Sequence, residues 1–179
     1  HGKFRRQRQM CIRDSTMNLD FASVWEMISD IVPENNALIC GDEIVSWKDY
    51  DDRSSKIASA LSNAGLKANS KAGLYLNNSN EYLIGQNAIF KIGGVPINVN
   101  YRYVAEELIY LLDNSDSEAV FYHACYSSRI KEIADSLPNI KAWIEVADGT
   151  ESHFPDALKY EDLLENSSPM ERIPVSYTH

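Results

Sequence analysis

Short apolar runs alternate with segments of helical periodicity along most of this sequence, and this alternation limits the fold more than any other feature. Strands that alternate with helices of about ten residues form right-handed crossovers and a largely parallel sheet. We therefore predict the α/β class, a mostly parallel sheet with flanking helices. The predicted strands are Leu74–Leu76, Val95–Val99, Ala119–Tyr122 and Trp143–Val146, and the predicted helices are Glu81–Ile92, Val104–Leu112 and Ser127–Leu137.

The N-terminal part carries three further local signals. Apolar residues at helical spacing predict a helix over Phe21–Ile31, and Gly41-Asp42 between two apolar runs predicts a hairpin. Ser46 is followed three residues later by Asp49, a variant of the capping box that marks the start of another helix. The buried stripe of that helix is expected to comprise Tyr50, Ile57, Ala58, Leu61 and Ala64.

The two ends differ from the rest of the chain. Residues 1–16 carry five basic side chains and one acidic one, which fits a nucleic-acid tail or a targeting peptide. However, QRQMCIRDS near the start and PVSYTH at the end look like translated sequencing-adapter sequence. We therefore expect residues 1–16 and residues 174–179 to be non-native, and Met17 to be the natural start.

Composition excludes several function classes. The formal net charge of -9 argues against a nucleic-acid partner, because phosphate binding needs a basic face. The longest uncharged runs are ten residues, such as Ile57–Leu66, about half of the ~20 residues of a transmembrane helix. Three cysteines without metal-ligand spacing favour a reduced, cytoplasmic protein.

Polar residues follow two predicted strands, where parallel α/β sheets bind ligands. Asn77 and Asn78 follow one strand and Arg102 follows the next, so these side chains are candidates to contact a substrate. The alternative is structural: Ser79 or Asn80 caps the next helix, and the other Asn residues form left-handed turns. The local pattern favours the structural interpretation.

Two other features resemble functional sites only superficially. Gly93-Gly94 beside Lys91 follows a predicted helix, whereas a phosphate loop places its glycines before one. His123 and Cys125 form a possible nucleophile pair at a strand end, but no third orienting group accompanies them. The residue pattern therefore predicts no catalytic, cofactor-binding or metal-binding residue.

Four segments in order resemble the N-terminal region of AMP-forming acyl-CoA synthetases, members of the adenylate-forming superfamily. They are Val45–Tyr50, Leu76–Glu81, Phe90–Asn100 and Glu106–Ser115. Each segment alone consists mainly of capping and packing residues, but their order and spacing make the resemblance specific. The sequence is most similar to ligases of fatty acids and steroid side chains.

The resemblance implies that residues 17–173 are a partial N-terminal domain, the first portion of the large domain of this fold. A full-length parent would use ATP, Mg and CoA to activate a carboxylic acid as an acyl-adenylate and then form the thioester. The family's ATP loop and catalytic Lys match no position here, so this chain alone is expected to be inactive. The alternative is a stand-alone, non-catalytic α/β binding module of the same ancestry. The length of the acyl chain stays open, because assigning Tyr101 or Tyr103 to a pocket wall would be a guess.

Overall fold

The computed structural model describes residues 20–172. The expectations for residues 1–16 and 174–179 therefore lie outside the described residues. The helices are α1 (Phe21–Ile31), α2 (Trp47–Asn63), α3 (Asn80–Lys91), α4 (Ala105–Asn114), α5 (Ser127–Ile133) and α6 (Tyr160–Asn166). The strands are β1 (Asn36–Cys40), β2 (Glu43–Ser46), β3 (Lys71–Tyr75), β4 (Val95–Asn98), β5 (Ser117–His123), β6 (Ala142–Val146) and β7 (Leu158–Lys159).

The main sheet has five strands in the order β4-β3-β5-β6-β7, and every neighbouring pair is parallel. The predicted α/β class is therefore confirmed. β1 and β2 form a separate antiparallel hairpin, as the Gly41-Asp42 turn predicts. The sequence analysis does not predict β7 or α6. β7 has two residues and α6 has seven, which is too short for a clear periodic signal. Among the described residues, every helix is too short or too polar to span a bilayer.

Two apolar cores cover the two faces of the sheet. On one face, α2 and α3 contribute Ile57 and Ile84 to a core that includes Leu74 and Phe121 of the sheet. On the other face, α4 and α5 pack around Val120 and Tyr122. A parallel sheet needs this coverage on both faces because its strands are apolar throughout.

Local caps set the helix boundaries. The Ser46 hydroxyl accepts a hydrogen bond from the backbone N–H of Asp49 (3.1 Å) and donates one to the Asp49 carboxylate (2.9 Å), so the predicted start of α2 is confirmed. Four of the five predicted stripe residues of α2 are buried, and Ala64 is half-buried just beyond the helix. The helix predicted over Val104–Leu112 begins one residue later than expected, because Val104 is the N-cap of α4 and is 54% exposed.

β4 is an edge strand of the sheet, and the backbone of its Pro96 lies on the unpaired side of the strand. The backbone N–H groups of Val95 and Val99 donate to the carbonyls of Ser70, just before β3, and of Leu74 in β3. In a parallel strand, the backbone N–H and C=O groups of successive residues face opposite neighbours. The backbone groups of Pro96 and Asn98 therefore face away from β3, toward the open edge of the sheet. Proline carries no N–H, and edge strands are where a sheet tolerates it.

Candidate functional site

The sheet order brings the ends of β3 and β5 together at a topological switch point. The crossover after β3 runs through α3 on one face, whereas α5, which follows β5, lies on the opposite face. The loops that leave the carboxyl ends of these two strands therefore diverge. Ligands of open α/β sheets bind in the crevice that such a divergence creates, so this edge is the candidate site.

Asn77 and His123 meet at this switch point. The backbone N–H of Asn77 donates to Nδ1 of His123 at 3.1 Å. Burial lowers the pKa of His123, although the nearby charges of Asp148 and Glu81 act in the opposite direction. His123 is therefore neutral at pH 7, and because Nδ1 accepts a bond, its proton resides on Nε2.

An aromatic pair and an arginine fill the space beside His123. The Tyr126 hydroxyl donates to Oδ1 of Asn77 (2.9 Å), and the Tyr126 ring lies 4.6 Å from that of Tyr75. Arg129 donates both to the Tyr75 hydroxyl (2.6 Å) and to the carbonyl of Tyr103 (2.8 Å). These bonds join the loops that follow β3, β4 and β5 into one structure.

The fourth loop is joined through Asp148, which follows β6. Its carboxylate accepts from the backbone N–H groups of Cys125 (3.0 Å) and Thr150 (2.9 Å). Burial alone would raise the pKa of Asp148, but the hydrogen bonds from Cys125 and Thr150 lower it to about 2. Asp148 is thus a permanently charged anchor of this loop at neutral pH.

The structure does not support His123 and Cys125 as a nucleophile pair. Desolvation, followed by the hydrogen bond to Asp148 and its charge, raises the pKa of the Cys125 thiol to about 11. An activated cysteine has a lowered pKa instead. In addition, His123 directs Nδ1 toward Asn77, and no hydrogen bond joins it to Cys125 within residues 20–172.

The predicted contact residues are divided between two places. Asn77 lies at the switch point, in contact with His123 and Tyr126. Arg102 lies beyond β4, where its guanidinium sits 5.5 Å from the centre of the Tyr101 ring and its backbone N–H bonds to Asn100. Ser79 caps α3, as the structural interpretation requires, through a 3.3 Å bond from the N–H of Tyr82.

Asn78 and the other Asn residues of these loops differ from expectation. Asn78 is exposed, and its carbonyl lies 4.0 Å from the Cys40 sulfur of the hairpin. The expected left-handed turns are absent from Asn77, Asn78 and Asn100, because Asn69 is the only Asn with a positive φ among the described residues.

The glycine pair ends a helix, as predicted. α3 ends at Lys91, Gly93 adopts a φ of +69°, and β4 begins at Val95. The Lys91 side chain is buried in ion pairs with Glu26 and Asp51. These residues therefore do not fit a nucleotide phosphate. Among residues 20–172, no three His, Cys, Asp or Glu side chains converge as a metal site would require.

Several residues at this edge of the sheet carry no local signal in the sequence. Tyr75, Tyr126, Arg129 and Asp148 contact one another or the loops only because distant strand ends converge. Their spacing along the chain matches no motif, so only the strand order identifies them.

Comparison with known proteins assigns the family. The sequence model of the AMP-binding enzymes matches residues 29–176. The chain belongs to the AMP-binding enzyme family. This confirms the resemblance found in the four sequence segments.

Curated relatives in this family are named as CoA ligases. The chain is 35% identical over 153 residues to a medium/long-chain fatty acid–CoA/3-oxocholest-4-en-26-oate–CoA ligase of Mycobacterium marinum, covering 84% of this chain and 28% of the relative. It is 36% identical over 155 residues to a 3-oxocholest-4-en-26-oate–CoA ligase of Rhodococcus rhodochrous, covering 86% and 28%. The chain therefore spans little more than a quarter of the length of these relatives.

Solved structures share the fold of this AMP-binding enzyme chain. An anthranilate CoA ligase in complex with anthranoyl-AMP superposes with a TM-score of 0.78 at 17% identity, covering 87% of this chain and 29% of that one. A fatty acyl CoA synthetase of Mycobacterium tuberculosis gives a TM-score of 0.72 at 20% identity, covering 87% and 30%.

Proposed function

We propose that this chain is the first portion of the large N-terminal domain of an acyl-CoA synthetase, with residues 17–173 as its native part. The whole enzyme would activate a fatty or related carboxylic acid with Mg-ATP to an acyl-adenylate and transfer the acyl group to CoA. The observation that carries this proposal is the identity of about 35% to relatives named as CoA ligases of fatty acids and of a steroid carboxylate.

In this proposal the chain supplies a scaffold and no chemistry of its own. Its only glycine pair follows a helix, and the lysine beside that pair is buried between carboxylates. Its one His–Cys pair is not activated. Charge that develops on ATP phosphates needs preorganised donors, and those donors would come from other parts of the enzyme. We expect no carboxylate-dependent ATP–pyrophosphate exchange by this chain above a blank without protein.

A chimera tests the proposal. Residues 20–172 would replace the aligned segment of the Mycobacterium marinum ligase, and exchange and acyl-CoA formation would be measured with fatty acids and with 3-oxocholest-4-en-26-oate. We expect activity with at least one of these acids. A folded chimera that is inactive with every acid, beside an active parent ligase, would count against the proposal.

A second chimera serves as the control. It carries Gly94→Val, which places side-chain atoms against the backbone oxygens of Ser70 and Ile89. We expect this variant to lose activity through misfolding, which circular dichroism would detect. Loss of activity in the first chimera without loss of structure is therefore distinguishable from a failure to fold.

A further inference from the structure

The helix α4 is apolar on every side, although only one of its sides faces the sheet. Residues 108–112 are Leu-Ile-Tyr-Leu-Leu, and five successive residues complete more than one helical turn of about 3.6 residues. Leu108 and Leu112 are buried in the core of the sheet, whereas Tyr110 is 72% exposed. A helix that is hydrophobic all round is typical of a fully covered position, so the outer side of α4 has the character of an interface.

A groove of about 400 Å³ lies along this outer side, and we call it the α4 groove. Its lining residues are Tyr103, Glu106, Glu107, Tyr110 and Leu111. They follow one another at three- and four-residue spacing, so they form one stripe of the helix surface, about 10 Å long or two turns. A partner helix that lies in a groove makes its contacts through residues at the same spacing.

Hydrogen bonds at the start of α4 hold the groove in shape. The Tyr103 carbonyl accepts from Arg129 (2.8 Å) and from the Tyr75 hydroxyl (3.3 Å). The Glu107 carboxylate accepts from the backbone N–H of Val104 (3.0 Å) through Oε2, which leaves its Oε1 for another donor. A surface that is fixed in this way loses less conformational entropy on binding than a flexible one.

The described chain begins and ends on the other face of the sheet. Asp20 caps α1, and Arg172 forms ion pairs with Asp30 of α1 and Asp51 of α2. α1 and α2 pack into the core that includes Leu74, whereas α4 packs into the core on the opposite face. The points at which the described chain begins and ends are therefore separated from the α4 groove by the sheet.

The charge of the α4 groove indicates which partner it fits. α4 carries Glu106, Glu107 and Asp113 and no basic residue, and none of these carboxylates forms an ion pair within residues 20–172. A partner with cations at matching positions gains charge complementarity. Two copies of this face would bring like charges together, and an anionic membrane surface would be repelled in the same way.

We propose that the α4 groove binds a basic amphipathic helix of a separate partner polypeptide. The apolar ridge of that helix packs on Leu111 and between Tyr103 and Tyr110. Its Lys or Arg side chains pair with Glu106 and Glu107, and the faces of the two Tyr rings favour the same cations. This interaction goes beyond the ligase function and does not depend on it, because residues 103–111 form the whole groove.

Fluorescence anisotropy with the full chain tests the interaction. The probe is a fluorescein-labelled peptide of about 18 residues, five helical turns, in which leucine repeats at helical spacing and lysine fills the other positions. A peptide of the same composition in scrambled order is the control for charge alone. We expect saturable binding that is at least about tenfold tighter for the patterned peptide and that weakens as the salt concentration rises.

Variants of the chain locate the bound peptide. Glu106→Lys and Tyr110→Ser should each weaken binding about five- to tenfold, with circular dichroism confirming that both exposed positions tolerate the change. Glu165→Lys is the matched control for charge, because Glu165 is exposed on α6, which packs into the other core. Ile39→Ser is the control for apolar area, since Ile39 is 67% exposed on the hairpin. Both controls should alter binding less than about twofold.

Several results would overturn the proposal. If the patterned peptide binds no better than the scrambled one, the attraction is charge alone, and an equal loss in Glu106→Lys and Glu165→Lys would place the peptide elsewhere. If Tyr110→Ser abolishes a concentration-dependent increase in mass of the full chain, a second copy occupies the groove. If the folded chimera with the Mycobacterium marinum ligase binds the peptide more than about tenfold more weakly than this chain, the rest of the enzyme covers the groove.

Discussion

Lys91 and Asp51 form an ion pair across the interface of α2 and α3, with the Lys91 Nζ 2.7 Å from the Asp51 Oδ1. Lys91 also pairs with Glu26 of α1, and the other oxygen of Asp51 lies 2.8 Å from Arg172. Arg172 extends the cluster to Asp30. This cluster joins three helices to the segment that follows α6.

Replacing Lys91 should test how much this cluster stabilises the fold. Burial would raise the pKa of Asp51, but hydrogen bonds and charges from Lys91 and Arg172 hold it below its ordinary value. Lys91→Met leaves nearly buried carboxylates without this cation, and we expect a loss of about 3–5 kcal/mol in the free energy of unfolding in urea. Lys71 pairs with the largely exposed Asp116, so Lys71→Met should cost less than about 1 kcal/mol. Equal losses in the two variants would contradict this account.

His123 should make stability depend on pH below about 7. Its pKa is lowered in the folded state, so the unfolded chain binds more protons as the pH falls through the ordinary value of about 6.5. Stability is therefore complete above that value and decreases below it, because the protonated Nδ1 can no longer accept from Asn77. The slope is at most about 1.4 kcal/mol per pH unit for one proton. His123→Asn, which retains an acceptor near Nδ1, should flatten the curve of urea midpoint against pH. An unchanged slope in this variant would assign the effect to other groups.

Cys125 should react slowly with iodoacetamide at neutral pH. Its pKa of about 11 leaves very little thiolate at pH 7. Mass spectrometry of the alkylated peptide should show a rate that continues to rise between pH 8 and pH 10. In Asp148→Asn, which removes the negative charge but keeps the shape, the rate at pH 8 should increase. A rate that levels off below pH 9 in the unmodified chain would show an activated thiol.

Two glycines should respond to alanine in opposite directions. A Cβ at Gly94 would lie 2.9 Å from the backbone oxygen of Ser70 and 3.1 Å from that of Ile89, so Gly94→Ala should destabilise the fold by about 1–3 kcal/mol. A Cβ at Gly85, inside α3, would meet side chains of Leu74 and Phe121 at 3.5 Å, an ordinary contact distance. Gly85→Ala should stabilise by about 0.5–1 kcal/mol through helix propensity. Urea midpoints that shift in the same direction would be inconsistent with these contacts.

Sequence reasoning predicted the elements whose signals are local. The centre of β5 is a continuous apolar run, and the Ser46 cap identifies the start of α2 within the chain itself. The contact between Asn77 and His123 has no such signal, because these residues lie 46 positions apart. The contact exists only because β5 pairs with β3, on the side of β3 opposite to β4. The candidate site therefore depends on strand order, which periodicity does not encode.

The direction of an apolar face is equally hard to predict from periodicity. Phe21, Val24, Trp25 and Ile28 have the spacing of a buried stripe, yet Phe21 and Val24 are exposed, Trp25 and Ile28 are half-buried, and the buried residues of α1 are Ala22 and Ser29. Small residues let this helix approach α2 and α3 closely enough for Glu26 to reach Lys91. The inward side of α1 thus carries Ala22, Ser29 and the half-buried Trp25, whose ring lies 5.9 Å from that of Tyr50.

The position of Pro96 on the unpaired side of β4 affects whether a strand of another chain can pair with this edge of the sheet. The N-terminal part of a chain leaves the ribosome first, at about 5–20 residues per second, and a bare strand edge then encounters other nascent chains. An incoming strand would find a missing donor at Pro96, so a continuous intermolecular ladder cannot form along β4. The opposite edge, β7, is only two residues long and offers too little length for such growth. Among residues 20–172, neither edge of the sheet thus offers an incoming strand a long unbroken row of backbone donors and acceptors.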